Sequence, residues 1–458
     1  VPFDPSIAAI RFGTGLGPRI VPPSSAAAMI DRLAGPDATA QALPIQPFAE
    51  AWRLFRDYRL TARDMRQAGS EAERDALEVE RDRLREALEA ARLAQARTRI
   101  ARVAVAEDGL RERLVLFWAN HFAVERKVPV GGLLIAPYIE EAIRPHVAGR
   151  FADMLEAVTL HPKMLIYLDQ ARSVGPGSPV GRRSERGLNE NLARELLELH
   201  TVGIGPYSQE DVTELAKLLT GLTVNEEEGA TAFRPAWAEP GAETVLGESY
   251  GPRPGLEPIR AVLRDLAARP ETAAHLARKL AVHFVSDMPD GDLVAALEAT
   301  FRSTGGDLLA VTEVLVAHPA AWERRKQKVK TPLEFVGSAL RALGVGSERL
   351  LMLDDRDTRR LLLNPLQVMG QPWDQPGSPQ GWPEAAEAWV TPQFVAARID
   401  WAMTMPERLL PDLPDPRRLV EDALGPQAAE EVRFAAGAAE RLSEGVGVVL
   451  ASADFQRR

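Results

Sequence analysis

The chain has 458 residues, 45% hydrophobic and 26% charged, with a formal net charge of -10, no cysteine and few aromatics. The acidic balance argues against non-specific nucleic-acid binding, and the missing cysteines exclude disulfides, thiolate metal sites and a cysteine nucleophile. No apolar run approaches the roughly 20 residues of a membrane helix, since the most apolar stretch, Leu114 to Val124, is short and interrupted by Asn120 and His121.

Residues 1–50 are rich in Gly, Pro and Ala. Val1-Pro2-Phe3-Asp4 lacks the basic-then-apolar pattern of a signal peptide. A cytoplasmic location is the default expectation, with the periplasm open if a signal has been removed. Arg11 to Pro18, RFGTGLGP, invites a dinucleotide-loop reading that fails, because Pro18 replaces the last glycine and no strand precedes it. Ser24 or Ser25 can cap a helix through Leu33, and Phe48 to Tyr58 reads as another. Residues 60–107 read as a long charged helical region. Leu77, Leu84 and Ala91 recur every seventh residue, which predicts a short seam within a hairpin.

Asp108-Gly109 is a turn, and Leu110 to Ala123 reads as a helix that sets His121 and Asn120 in apolar surroundings. Pro137 to Val147, Phe151 to Val158 and Lys163 to Ala171 follow as helices, then a Gly/Pro/Ser/Arg loop from Val174 to Arg186. Leu188 to Thr223 is the densest polar stretch and predicts a helical hairpin. At about 100° per residue, Glu190, Asn191, Arg194, Glu195 and Glu198 share one arc, and Leu192, Leu196 and Leu199 lie opposite. His200 falls on the apolar side. Gly203, Gly205 and Pro206 end the first helix, and Ser208 opens a second with an acidic first turn, running to about Leu219.

Val224 to Pro258 reads as irregular, with Thr244-Val245-Leu246 as the best strand. Gly247-Glu248-Ser249-Tyr250-Gly251 matches G-x-S-x-G, but Pro252 and Pro254 follow where a hydrolase elbow needs a helix, so the match reads as chance. Helices resume at Leu256 to Ala268, Glu271 to Val285 with His275, Lys279 and His283, Asp292 to Thr300, Leu308 to Ala317 and Leu333 to Leu343. Lys326, Lys328 and Lys330 form a basic run before Pro332. Trp373, Trp382, Trp389 and Trp401, half of the eight tryptophans, lie in a Pro/Gly-rich part that reads as a pinned loop or a stacking platform for a sugar or other flat ligand. Helices near Arg417 to Leu424 and Gln427 to Leu450 close the chain.

The fold expectation is a mainly α protein, a multi-helix bundle-like body with a small irregular β insertion near 224–258. Three regions are expected: 1–108 with the charged hairpin, 109–344 as a central helical core carrying the candidate site, and 345–458 with the tryptophan loop and final helices.

Several segments together resemble a bacterial family, the one known as domain of unknown function 1800. They are Trp118 to Phe122, His161 to Asp169, Asn189 to Glu195, Lys279-Leu280 with Phe284-Val285, Lys330-Thr331-Pro332 and Gly381-Trp382-Pro383. The resemblance runs in order over nearly the whole chain. It implies no assigned reaction; it does imply that many members are exported, and that a protein partner with a phosphatase- or sulfatase-like look is often encoded nearby. This chain departs from the family pattern at Ala238, Glu243 and Leu222, where a histidine, a lysine and a tryptophan are usual.

Two readings of function stand. In the first, the chain is a hydrolase-like enzyme acting on a glycan or other polymer, with His121, Glu190, Arg194, Glu195 and Glu198 as catalytic candidates. Asn120, Asn189, Asn191, His161 and Trp382 are then the substrate-binding candidates. No metal site is nominated, because neither Glu-x-x-His nor His-Glu-x-x-His occurs there, and no cofactor is indicated. In the second, the chain is a non-catalytic binding or scaffold protein whose polar arc is a structural hydrogen-bond network.

Overall fold

Periodic apolar residues make the helices, and the helices sort into two apolar cores. The computed structural model describes residues 3–184, 187–323 and 328–458. Lys326 of the basic run, and Glu185 and Arg186 at the end of the predicted loop, lie outside the described residues. The first core gathers Phe12, Trp52, Phe117, Trp118, Phe122, Phe151, Leu192, Leu215, Val262, Phe284 and Val311. The second gathers Leu93, Ile100, Phe335, Leu340, Leu362, Trp401, Leu419, Val446 and Val449.

The long helix Glu71–Val105 serves both cores, with Leu88 in the first and Leu93 to Ala104 in the second. Its start is set by Ser70, whose hydroxyl accepts from Glu73 N at 3.2 Å. A short turn joins it to the helix Phe48–Gln67, against which it packs as a hairpin. Leu84 is buried in that seam, whereas Leu77 and Ala91 are half-buried.

The polar hairpin forms as two helices. Asn191–Glu195 is α-helical and continues as a π-helical turn, Leu196–His200, which closes with His200 buried. Gly203 (φ 82°) and Gly205 (φ 116°) take the left-handed conformation that ends it. Gln209–Leu218 starts with a full capping box between Ser208 and Asp211.

The β insertion consists of two small antiparallel hairpins. β1 (Leu222–Val224) pairs with β2 (Thr231–Phe233), and β3 (Glu243–Val245) pairs with β4 (Glu248–Tyr250). Leu246 and Gly247 form the tight turn between β3 and β4, both at positive φ. Ser249 is therefore an exposed strand residue followed by the non-helical stretch 251–255, so the G-x-S-x-G run is a hairpin and not an elbow.

The chain departs from the expected elements mostly near its end. A helix Pro392–Thr404 forms within the tryptophan-rich part, with Thr391 accepting from Phe394 N and Pro392 in the first turn. The expected helix over 427–450 is two helices, Glu430–Ala438 and Leu442–Ala451. The second folds back on the first so closely that a side chain at Gly445 would overlap Pro416 and Ala436 O.

One buried ionic cluster ties the two cores together. Glu334, in the first turn of the helix Pro332–Ala342, pairs with Arg113 from the helix Gly109–His121 and with Arg458 Nε at 3.2 Å. Its second oxygen also accepts from Thr331 N at 2.8 Å. Burial alone would raise the Glu334 carboxyl, but Arg458 and Arg113 hold it well below the ordinary range. Replacing Glu334 by Ala strands two buried guanidinium groups. Urea unfolding of Glu334→Ala is expected to show a loss of about 3–5 kcal/mol, and a loss below about 1 kcal/mol, the scale of an exposed pair, would contradict this assignment.

Candidate functional site

The helix Gly109–His121 has two working faces. Phe117, Trp118 and His121 turn into the first core, while Leu116, Ala119 and Asn120 line a cleft. That cleft has a cavity volume of about 110 Å³ and opens to solvent. Its other walls come from Tyr138, His283, Glu334 and the segment from Gln371 to Glu384.

Asn120 holds that segment in place. Its Oδ1 accepts from Trp382 N at 2.6 Å, and its Nδ2 donates to Trp382 O at 3.0 Å. Gly381, at φ 78°, lies so close that any side chain there would overlap Asn120. Trp382 rests beside the buried Trp389 at 6.2 Å between ring centroids, and Trp389 Nε1 donates to Pro383 O. On the opposite lip, Arg99 lies 4.7 Å from the Trp373 ring centroid and pairs with Asp374 at 2.8 Å. The cleft is thus framed by Trp373 and Trp382, two broad apolar faces beside polar groups.

His283 closes the helix Pro270–Phe284 and reaches the cleft wall. Its Nδ1 lies 2.7 Å from Glu384 Oε1, which accepts the ring proton. The ring Nε2 is buried and has no hydrogen-bond partner among the described residues. With Nδ1 carrying the proton, Nε2 presents a lone pair. Burial pushes the His283 imidazole below its usual range, which keeps it neutral. Glu384 is held at about 2: burial would raise it, but His283, Lys328 and Arg458 together outweigh that. Lys328 also donates to Asp287 Oδ1 at 2.5 Å, and Asp287 Oδ2 accepts from Ala386 N. Arg458 donates to His283 O at 2.6 Å, so the ionic cluster around Glu334 also fixes the backbone of His283.

Behind this wall lies a second group of imidazoles. Lys279, one turn before His283, donates to His121 Nδ1 at 3.0 Å. That contact assigns the proton of His121 to Nε2, which donates to His200 O at 3.2 Å. The His121 ring centroid is 6.1 Å from that of His200 and 6.3 Å from that of His275. Burial, then the Lys279 charge, lowers all three: His121 well below its usual value, His200 to about 3 and His275 to about 4.

The sequence-predicted residues are distributed as follows. Asn120 and Trp382 meet in the cleft. His121 is buried behind it, against the end of the polar hairpin. His161 caps the helix Pro162–Tyr167 by accepting from Lys163 N at 3.1 Å, with its Nε2 3.6 Å from Glu141 Oε2. Its ring packs against Tyr138, a cleft residue, at 5.1 Å.

The hairpin carboxylates sit apart from this cleft. Glu190 accepts from Thr213, Gln209 and Arg194, which clips the two hairpin helices together. Glu198 accepts from Tyr207. Asn189 Oδ1 accepts from Asn191 N, and Asn191 is exposed. Glu195 is half-buried, and burial followed by the Glu198 charge pushes it up to about 7. Leu192, Leu196 and Leu197, all buried, form the opposite face of the same helix.

Sequence reasoning did not nominate His283, Glu384 or Lys279. The available signal was the four-residue spacing of His275, Lys279 and His283, together with an acid directly after Gly381-Trp382-Pro383. Among the described residues, no group of three or more His, Cys, Asp or Glu side chains is placed to hold a metal ion. No helix is long and apolar enough to cross a membrane.

A family model described as "Protein of unknown function (DUF1800)" matches residues 9–457. Comparison with curated proteins and with solved structures finds no match.

The imidazole cluster sets a pH dependence. Unfolded histidines titrate near 6.5, whereas folded His121, His200 and His275 stay neutral well below that. Stability is therefore fully present above pH 6.5 and falls as pH drops towards 4, by up to about 1.4 kcal/mol per pH unit for each histidine. Glu195 and Glu243, both pushed up to about 7, work in the opposite direction, two groups against these three. Urea midpoints measured from pH 7.5 to 5 are expected to fall, and less steeply in His200→Asn. A midpoint that stays level or rises would contradict the neutral assignment.

Proposed function

Because the chain belongs to this family of unknown function, its own geometry has to supply the chemistry, and we propose that it is a hydrolase acting on a glycan-like substrate in the Asn120–Trp382 cleft. The observation that carries this reading is the His283–Glu384 pair. One imidazole nitrogen is anchored by a carboxylate, and the other is buried without a partner among the described residues, on a residue that lines the cleft. When the cleft wall opens enough for a water to reach Nε2, such an imidazole can take a proton from that water as it attacks, while Glu384 steadies the imidazolium that forms. The proton then passes from Nε2 to the leaving oxygen, which restores the neutral ring.

The nearby carboxylates support an ester bond on the glycan over the glycosidic linkage as the target. Glycosidic cleavage calls for a carboxylic acid that keeps its proton. Glu334 and Glu384, the cleft glutamates, are both held low by cations. Trp373 and Trp382 would stack on the apolar faces of sugar rings, and Asn120 would fix the position of Trp382.

A second reading, a non-catalytic scaffold, is favoured for the polar hairpin. Glu190 spends its oxygens on Thr213, Gln209 and Arg194, as a structural clip would.

A screen of chromogenic esters, acylated oligosaccharides and glycosides tests the proposal. Turnover is expected on acylated sugars, with His283→Gln lowering kcat by roughly 10²–10⁴-fold. Trp382→Ala should act mainly on KM. Full turnover in a folded His283→Gln variant, or binding of sugars without any turnover across the screen, would overturn the hydrolase reading.

A further inference from the structure

Another pocket lies in the C-terminal core, on the far side of Trp389, the residue that backs Trp382 of the cleft. It is built on the helix Pro392–Thr404, whose Val395, Arg398 and Ile399 line it, and has a cavity volume of about 230 Å³. Val329, Trp389, Val390 and Ala451 complete apolar walls, and Gln456 and Arg457 lie beside Arg398.

Arg398 is the unusual member. It is only 2% exposed, yet its sole side-chain hydrogen bond among the described residues runs from Nη1 to Gln456 Oε1 at 2.9 Å. Its flat face lies 5.6 Å from the Phe335 ring centroid. Nε and Nη2, the two donors on one edge of the guanidinium, have no partner among the described residues. No carboxylate lies within ion-pair distance of it there. Buried donors left unmade are costly, and a buried unpaired charge more so. The Nε/Nη2 edge matches the two oxygens of a carboxylate, which makes it a bidentate fork. Around it the surface is apolar and open: Val390, Val395 and Ile399 are 48%, 37% and 44% exposed. Such exposed apolar residues beside a pocket mark a binding surface.

We propose that this pocket binds a small carboxylate with an apolar tail, the carboxylate on Nε and Nη2 of Arg398 and the tail along Val395 and Ile399. The polar head satisfies the orphaned edge, and the tail covers the exposed side chains. Inorganic phosphate offers the charge without the tail, and a neutral amide offers the tail without the charge.

Titration calorimetry on the full chain tests this with octanoate, acetate, octanamide and inorganic phosphate as probes. Octanoate is expected to bind at one site, with the other three at least roughly tenfold weaker. Arg398→Gln should abolish octanoate binding. Because that residue is buried, Ile399→Glu provides an independent check: it sets a negative charge at the exposed mouth, and should weaken octanoate roughly tenfold while the melting temperature holds. No binding of octanoate, binding that ignores Ile399→Glu, or equal binding of octanamide or phosphate would each overturn the assignment.

Discussion

The architecture depends on one buried carboxylate shared by two arginines. Glu334 meets Arg113 from the first core and Arg458 from the last residues of the chain, and it caps its own helix through Thr331 N. Burying three charged groups is costly, and the cost is offset only when every lone pair and proton finds a partner. Here the cluster does more than pack helices. Arg458 reaches on to His283 O, so the same ionic group that joins the cores sets the main chain from which the cleft imidazole projects. Position and protonation of His283 are thus inherited from a network that begins more than 100 residues away in sequence.

Around that anchor the cleft combines rigid and polar parts in a way that suits a ligand with a flat face. Trp382 is held through both backbone groups by the Asn120 amide, and Trp373 lies under the Arg99 guanidinium. The walls of the cleft keep their charges paired: Arg99 with Asp374, Lys328 with Asp287 and Glu384, Glu334 with its arginines. The bare Nε2 of His283 stands out among them. Burial, reinforced by Lys279, explains why the neighbouring imidazoles do not compete for protons: it keeps His121, His200 and His275 neutral.

Local signals in the sequence carried most of the helices. Ser208 with Asp211, Gly203 and Gly205 placed the polar hairpin because caps and left-handed turns are short-range chemistry. The helix Pro392–Thr404 was missed because Trp, Pro and Gly dominate the composition around it, although Thr391 and Pro392 form an ordinary helix start. The break at 439–441 was also hidden, since it answers to the close approach of Gly445 and Pro416 and not to a local breaker. For the site, Asn120 and Trp382 were legible as residues worth naming, but their contact spans 262 positions. His283 looked like one more helix histidine, because Glu384, which distinguishes it, lies 101 residues away. Glu190 and Arg194 drew notice because charge spacing is visible in one dimension, whereas the Thr213 and Gln209 that satisfy Glu190 are paired with it only by folding.

Hydrolysis in this cleft turns on the protonation of a single ring. Nitrogen-15 NMR of the His283 imidazole, assigned by comparison with His283→Gln, reads it directly. A neutral ring is expected at pH 7 with the proton on Nδ1, bonded to Glu384, and a bare Nε2 whose shift moves when an acylated sugar enters the cleft. A proton found on Nε2, or a ring charged at pH 7, would contradict it.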